Sequence, residues 1–211
     1  MSDRKEGIIL ILSSPSGAGK TTLTKKISLK DNFLISISHT TRKPRSHEEN
    51  GLHYYFISKK EFEKLISENK FLEHAKVFDN YYGSSKDFVI EKLNEGKNVI
   101  FDIDWQGTEK IKEKKLKYKI VSIFILPPSK KELLERLRKR EMKDHQIAER
   151  RMKQFNEDVI HWKNYDFVVI NDDLENCYNK IIKFVKSYVQ NNKVDKYNKN
   201  IISEHVNYLL K

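Results

Sequence analysis

Ser14-Pro15-Ser16-Gly17-Ala18-Gly19-Lys20-Thr21 follows a short aliphatic run, Ile8 to Leu12, and precedes a stretch with helical apolar spacing, Leu23 and Ile27. The eight residues match G-x-x-x-x-G-K-[ST] at every defined position except the first, where Ser14 replaces Gly. In such a loop, backbone N–H groups and a helix N-terminus converge on an anion, and Gly17 and Gly19 supply backbone freedom. Lys20 then bridges β- and γ-phosphates, and the Thr21 hydroxyl holds a magnesium ion. Nucleoside triphosphate binding is the chemistry this pattern predicts. Ser14 sets a condition: at a position requiring positive φ it costs about 1 kcal/mol or more, and otherwise the replacement is harmless.

A second set of cations follows. Arg42 and Arg45 flank the turn-forming Lys43-Pro44, and two guanidinium groups so separated can grip a monophosphate, with its nearly two negative charges, from two sides. From Ser129 to Lys153 the chain carries ten basic and five acidic residues, a net +5. This segment is either a solvated helical pair or a lid that grips phosphate. Arg136 and Arg140 lie four apart on one helix face, and Arg151 lies on the next helix.

The elements that must position these groups read as α/β. Ile8 to Leu12, Val99 to Ile103, Ile120 to Leu126 and Phe167 to Ile170 are short apolar runs of the kind found in buried parallel strands. Helical stretches such as Leu133 to Arg140 and Leu174 to Tyr188 alternate with them, which implies crossover connections and helices on both faces of a sheet. The stretch from about Ser38 to Glu95 breaks the rhythm and reads as an insertion. It holds β-like pieces (His53 to Ile57, Leu72 to Phe78), a Tyr81-Tyr82-Gly83 turn and two short helices, the first opened by the capping box Ser58-Lys59-Lys60-Glu61. A second box, Ser129-Lys130-Lys131-Glu132, follows Pro127-Pro128. The tail from Gln190 to Lys211 is Asn/Lys-rich and then weakly amphipathic through Ile201, Ile202, Val206, Leu209 and Leu210; it is either a docked terminal helix or a frayed one.

With 211 residues, 38% hydrophobic and 34% charged, the chain is expected to be a globular protein with one main core. One cysteine, Cys177, excludes an internal disulfide or a multi-cysteine metal site. The first apolar run is too short for a signal sequence or a membrane span, so a cytoplasmic location is expected. The net charge of +11 leaves nucleic acid, an anionic membrane or small phosphorylated ligands open.

Taken in order, SSPSGAGKTT, SHTTRKPR, ENGLHYYF, FLEHAKVFDNYYGSS, FDIDWQG, ILPPS, RRM and VINDD resemble the guanylate kinase family from Ile8 to about Tyr188. That resemblance implies a P-loop nucleoside monophosphate kinase fold: a parallel sheet core flanked by helices, with inserted GMP-binding and lid regions. Residues 1–189 would form the kinase domain, with core segments 1–37, 99–128 and 156–189, a GMP-binding region at 38–98 and a lid at 129–155; 190–211 would be a tail. It implies ATP and GMP as substrates, magnesium with the ATP, and no nucleic-acid or membrane partner.

The resemblance also implies roles residue by residue. ATP would lie on Ser14, Pro15, Ser16, Gly17, Ala18, Gly19, Lys20, Thr21 and Thr22, with Asn171 touching the adenine. Tyr54 and Tyr82 would join Arg42 and Arg45 on the GMP phosphate. Glu73 would accept the guanine ring N–H and amino group together, Asp104 would also contact the amino edge, and Ser38 and Ser84 would bond the remaining base atoms. Such polar pairing rejects an analogue that leaves it unpaired by about 10⁴-fold or more. Lys20, Arg42, Arg136, Arg140 and Arg151 would act on the transferring phosphoryl group. Asp102 would hold a magnesium-bound water beside Thr21; as a strand-ending Asp it could equally cap the next helix, and Asp102 and Asp104 could exchange these roles. His39 reads as neutral drift, and Arg138, Lys139 and Arg150 as solvated charge. In place of an Arg-Gly lid turn the chain has Arg140-Glu141-Met142, which moves the expected hinge towards Lys143-Asp144.

Three other readings compete. A non-catalytic binding module of this fold would not need Gly17, Gly19, Lys20 and Thr21 together. A kinase for ribose 1,5-bisphosphate would not need a guanine-reading set. A nucleic-acid footprint would account for the charge, which anionic substrates explain more economically.

Overall fold

The computed structural model describes residues 6–77, 79–140, 145–192 and 197–211. The first strand, β1 (Ile9–Ser13), runs through the phosphate-type loop into α1 (Lys20–Asp31), followed by β2 (Phe33–Ile35), β3 (Ser38–Thr40) and β4 (Tyr55–Phe56). Then come α2 (Lys59–Ser67), β5 (Phe71–Val77), β6 (Asn80–Ser85), α3 (Lys86–Asn94), β7 (Asn98–Asp102) and α4 (Trp105–Glu113). The chain continues through β8 (Ile120–Leu126), α5 (Lys130–Arg140), α6 (His145–Val159), a 3-10 turn (Ile160–Asn164), β9 (Phe167–Ile170), α7 (Leu174–Val189) and α8 (Lys199–Leu210).

Five strands form an all-parallel sheet in the order β2-β7-β1-β8-β9. β1 sits at its centre, and its Ile9, Leu10, Ile11 and Leu12 are all fully buried. Alternation sends Leu10 and Leu12 to a core shared with Leu23, Ile27 and Ile181, and Ile9 and Ile11 to a core shared with Val89, Leu93 and Ile111. Each such aliphatic side chain contributes about 1.5–3 kcal/mol by leaving water. The sheet is therefore rigid, and its C-terminal edge is where the loops carrying chemistry emerge. There Ser13, Asp102 and Asn171 end or follow β1, β7 and β9.

A second sheet, β4-β3-β6-β5, fills the stretch that interrupts the sequence rhythm. β3 and β5 both run antiparallel to β6, while β4 is parallel to β3. The expected Tyr81-Tyr82-Gly83 turn is not a turn: all three residues lie inside β6. The chain reverses just before it, where Asp79 takes a φ of 65°. A Cβ on Gly83 would come within 3.0 Å of Phe62 and of Phe71, so this glycine makes room for packed rings rather than bending the backbone. The Ser58 box forms in full. At Ser129 the hydroxyl accepts from the Glu132 N–H, while the Glu132 carboxylate accepts from Arg136.

The tail is docked. Helix α8 starts on Asn198, whose side chain accepts from the Asn200 and Ile201 N–H groups, and it buries Ile202, Val206 and Leu209.

Candidate active site

The phosphate-type loop takes the conformation its sequence demands. Gly17 and Gly19 have φ of 90° and 99°, whereas Ser14 is outside the positive-φ region, so the replacement at position 14 carries no backbone strain. Ser14 Oγ donates to the Pro15 carbonyl at 2.8 Å. Lys20, the first residue of α1, forms an ion pair with Asp102 at the end of β7. Thr21 and Thr22 follow on the exposed side of α1.

Asn171 is 5% exposed and directed at the loop: its Nδ2 donates to the Ala18 carbonyl at 2.7 Å. A Cβ on Gly19 would lie 2.2 Å from the same Nδ2, so Gly19 admits both the left-handed turn and this side chain. Two of the three arginines expected to act from a lid also reach this corner. Arg136 donates to the Asn171 carbonyl at 3.3 Å and to Glu132 at 3.0 Å, and Arg151 donates to Ser16 Oγ at 2.9 Å. The side chain of Arg140, like residues 141–144 with the expected hinge at Lys143-Asp144, lies outside the described residues.

Arg42 and Arg45 converge on Glu48, a residue the sequence reading did not single out. Arg42 and Arg45 approach Glu48 Oε1 at 2.9 and 3.0 Å, and the Arg45 N–H donates to Oε2 at 2.8 Å. Burial alone would raise the Glu48 pKa, but the Arg42 bond, the Arg45 N–H and both positive charges bring it down to about 2. The Arg42 guanidinium also lies 5.3 Å from the Tyr54 ring centre, and the Tyr54 and Tyr82 rings meet edge to face at 6.0 Å. Arg42, Arg45, Tyr54 and Tyr82, the residues expected at the acceptor phosphate, thus include an arginine pair that shares one carboxylate. The one sequence signal for Glu48 is its place three residues beyond Arg45 in a Pro-led loop.

The register of the second sheet brings together Ser38, Ser84 and Glu73, three of the residues expected to contact the base. Ser38 on β3 is opposite Ser84 on β6, and Ser84 is opposite Glu73 on β5. Glu73 is 4% exposed and accepts from Ser84 Oγ at 2.6 Å. Burial drives its pKa to about 7; the Ser84 bond opposes this, nearby Asp104 adds to it and Lys110 opposes it. Lys110 is fixed by donation to the His74 carbonyl. Asp104 caps α4, accepting from the Gly107 N–H at 2.9 Å. Its pKa is raised by burial, against the Gly107 bond and the charges of Lys20 and Lys110. Asp104 therefore feels the charge of Lys20, and Glu73 in turn feels that of Asp104.

Two further residues enter only through the fold. Asp158 on α6 is raised to about 6, by burial and then by Asp104, while Gln154 and Trp105 bond to it and oppose the rise. His161 stacks on Trp105 with ring centres 3.6 Å apart. His39 stacks on Tyr55 at 4.8 Å, and burial lowers its pKa against an opposing backbone bond with Gly83.

A strand, an anion-cradling loop and a helix on a parallel sheet, with an arginine pair and a buried carboxylate in the inserted region, define an α/β protein of the phosphate-loop class. Comparison with known proteins agrees. The family model described as guanylate kinase matches residues 6–188. The guanylate kinase of Rickettsia felis is 47% identical over 186 residues, covering 88% of this chain and 96% of that protein. That of Blochmanniella floridana is 49% identical over 170 residues, covering 79% and 80%. The crystal structure of guanylate kinase from Anaplasma phagocytophilum superposes with a TM-score of 0.70 at 34% identity, covering 87% of each chain. The chain belongs to the guanylate kinase family.

Proposed function

We propose that this chain catalyses ATP + GMP ⇌ ADP + GDP by in-line transfer of the γ-phosphoryl group to a phosphate oxygen of GMP, without a covalent enzyme intermediate. The observation that supports this reading is the electrostatic link from Lys20 through Asp104 to the buried Glu73 of the second sheet, with Arg42 and Arg45 paired on Glu48 in the loop that follows β3. The acceptor is already an anion, so no general base is required. Catalysis then rests on positioning and on cations placed where charge sits in the transition state. In this reading Lys20 and the loop N–H groups from Ser14 to Thr22 hold the ATP phosphates, and Asn171 holds the loop. Arg42, Arg45, Tyr54 and Tyr82 hold the GMP phosphate, and Ser38, Glu73, Ser84 and Asp104 read guanine. Arg136, Arg140 and Arg151 close on the phosphoryl group from residues 129–155 acting as a lid, with 38–98 as the acceptor region.

Magnesium fits this corner by donor chemistry. Thr21 offers a hydroxyl and Asp102 a carboxylate, the oxygen donors this ion prefers. Among the described residues no group of three or more His, Cys, Asp or Glu could hold a metal alone, which suits an ion carried largely by nucleotide phosphates and water. When bound it neutralises phosphate charge. No described helix is long and apolar enough to cross a membrane, in keeping with a cytoplasmic enzyme of purine nucleotide recycling.

The test is ADP release with ATP, magnesium and each of GMP, AMP, CMP, UMP and ribose 1,5-bisphosphate. Turnover with GMP far above the rest is expected; equal turnover with AMP would overturn the base assignment. Glu48 gives a second, sharper result. Without its charge the two guanidinium groups repel and lose their common anchor, so Glu48→Gln is expected to raise KM for GMP about tenfold, the worth of roughly 1.4 kcal/mol of charge-assisted bonding. KM for ATP should hold, and steady-state kinetics with each substrate varied in turn measures both.

A further inference from the structure

Helix α8 lies beyond the last residue matched by the family model, 188, yet one of its faces belongs to the core. Ile202, Val206 and Leu209 are 6%, 4% and 0% exposed and share an apolar cluster with Leu133 and Leu137 of α5. The same helix is tied to the segment that leads into α5. His205 Nε2 lies 2.9 Å from the Pro127 carbonyl oxygen, and because a carbonyl only accepts, this nitrogen carries the proton. The same two leucines border the phosphate loop: a Cβ on Gly17 would stand 3.0 Å from both Leu133 and Leu137. Arg136, between these leucines in sequence, donates to the carbonyl of Asn171, whose side chain holds Ala18. One apolar cluster therefore connects α8 with the side chains of α5 that border the loop.

We infer that α8 is a positioning element for the ATP half of the site, holding the start of α5, and with it Arg136, against the phosphate loop. The inference rests on the assignment of that loop and Arg136 to ATP. The guanine-reading residues Ser38, Glu73 and Ser84 lie on the second sheet, so the effect should be confined to one substrate. A prop that merely stabilised the fold would not distinguish between the two.

Full-length wild type, Leu209→Ala, Leu209→Met and His205→Ala are compared by KM for ATP and for GMP, by calorimetric GMP affinity without ATP, and by thermal melting. For Leu209→Ala, KM for ATP is expected to rise about tenfold, well within the loss that an ångström-scale misplacement of a positioning group causes. KM and affinity for GMP should stay within about twofold, and Leu209→Met should restore KM for ATP by refilling the space. His205→Ala should move KM for ATP in the same direction. A melting point that falls while the ratio of the two KM values keeps its wild-type value would overturn the inference, and so would a parallel rise of both. If Leu209→Ala does not fold, His205→Ala, on the partly exposed edge of the helix, decides by the same ratio. Wild-type turnover with ATP and GMP tests the underlying assignment separately.

Discussion

Lys20→Met is expected to lower kcat by about 10³-fold or more while the protein remains folded. The lysine opens α1 directly after the left-handed Gly19, so its ammonium is carried by the helix end that closes the anion cradle. Met retains the length and apolar stem but not the charge that must follow the migrating phosphoryl group. The fold should tolerate the change, because β1 and α1 are held by Leu10, Leu12, Leu23 and Ile27, all fully buried. Asp102 loses its lysine partner where both side chains are only 18% exposed, so some loss of stability is expected alongside the loss of turnover. Single-turnover kinetics with circular dichroism as a fold control would measure this. A variant that is folded and turns over at a near-normal rate would contradict the proposed mechanism.

The second large effect concerns Glu73. Glu73→Gln preserves shape and can still accept from Ser84, but it turns an N–H₂ group toward guanine donors that a carboxylate would have accepted. A buried donor facing donors is the situation in which polar sites discriminate most, and kcat/KM for GMP is expected to fall by about 10³-fold or more. The same carboxylate predicts a pH dependence. With a pKa of about 7 in the free protein, Glu73 is ionised above that value and gains a proton as pH falls through it. Since the ionised form accepts both guanine donors, KM for GMP should be flat above about pH 8 and rise towards tenfold per unit below pH 7. GMP's own phosphate titrates near this range, so the comparison that decides is wild type against Glu73→Gln. The component due to the protein should vanish in the variant, and identical profiles would show that Glu73 does not read the base.

The phosphate loop was legible in the sequence because its chemistry is contiguous: eight neighbouring residues specify the turn, the lysine and the hydroxyl. The parallel strands were legible because burial on both faces leaves unbroken aliphatic runs. Residues that act through distant partners were harder to read. Gly83 looked like a turn because glycine usually marks one, and only the packing of Phe62 and Phe71 reveals why it lies in a strand. Glu48 stands in a loop without periodicity, and its value comes from closing back on both Arg42 and Arg45. The hydrogen bond from Asn171 to the Ala18 carbonyl joins residues 153 apart in sequence, and no local pattern announces it. The terminal helix remained open between docked and frayed because twelve residues are marginal as an isolated helix, and its partners on α5 lie some seventy residues earlier.

Under the proposed assignment of Glu73, base selection is also a property of strand pairing. Ser38, Ser84 and Glu73 line up because three neighbouring strands keep one registration, with an irregularity between Phe71 and Glu73 setting the phase of β5. Side chains alternate faces along a strand, so a slip of one residue turns every one of them over. A deletion in the reversal around Asp79 that was absorbed by such a slip would rotate Glu73 away from the nucleotide with no reading residue changed. The Lys20 loop, on the other sheet, would be untouched. The length of a hairpin is therefore part of the specificity code, and substitution scans that leave chain length constant would never detect it.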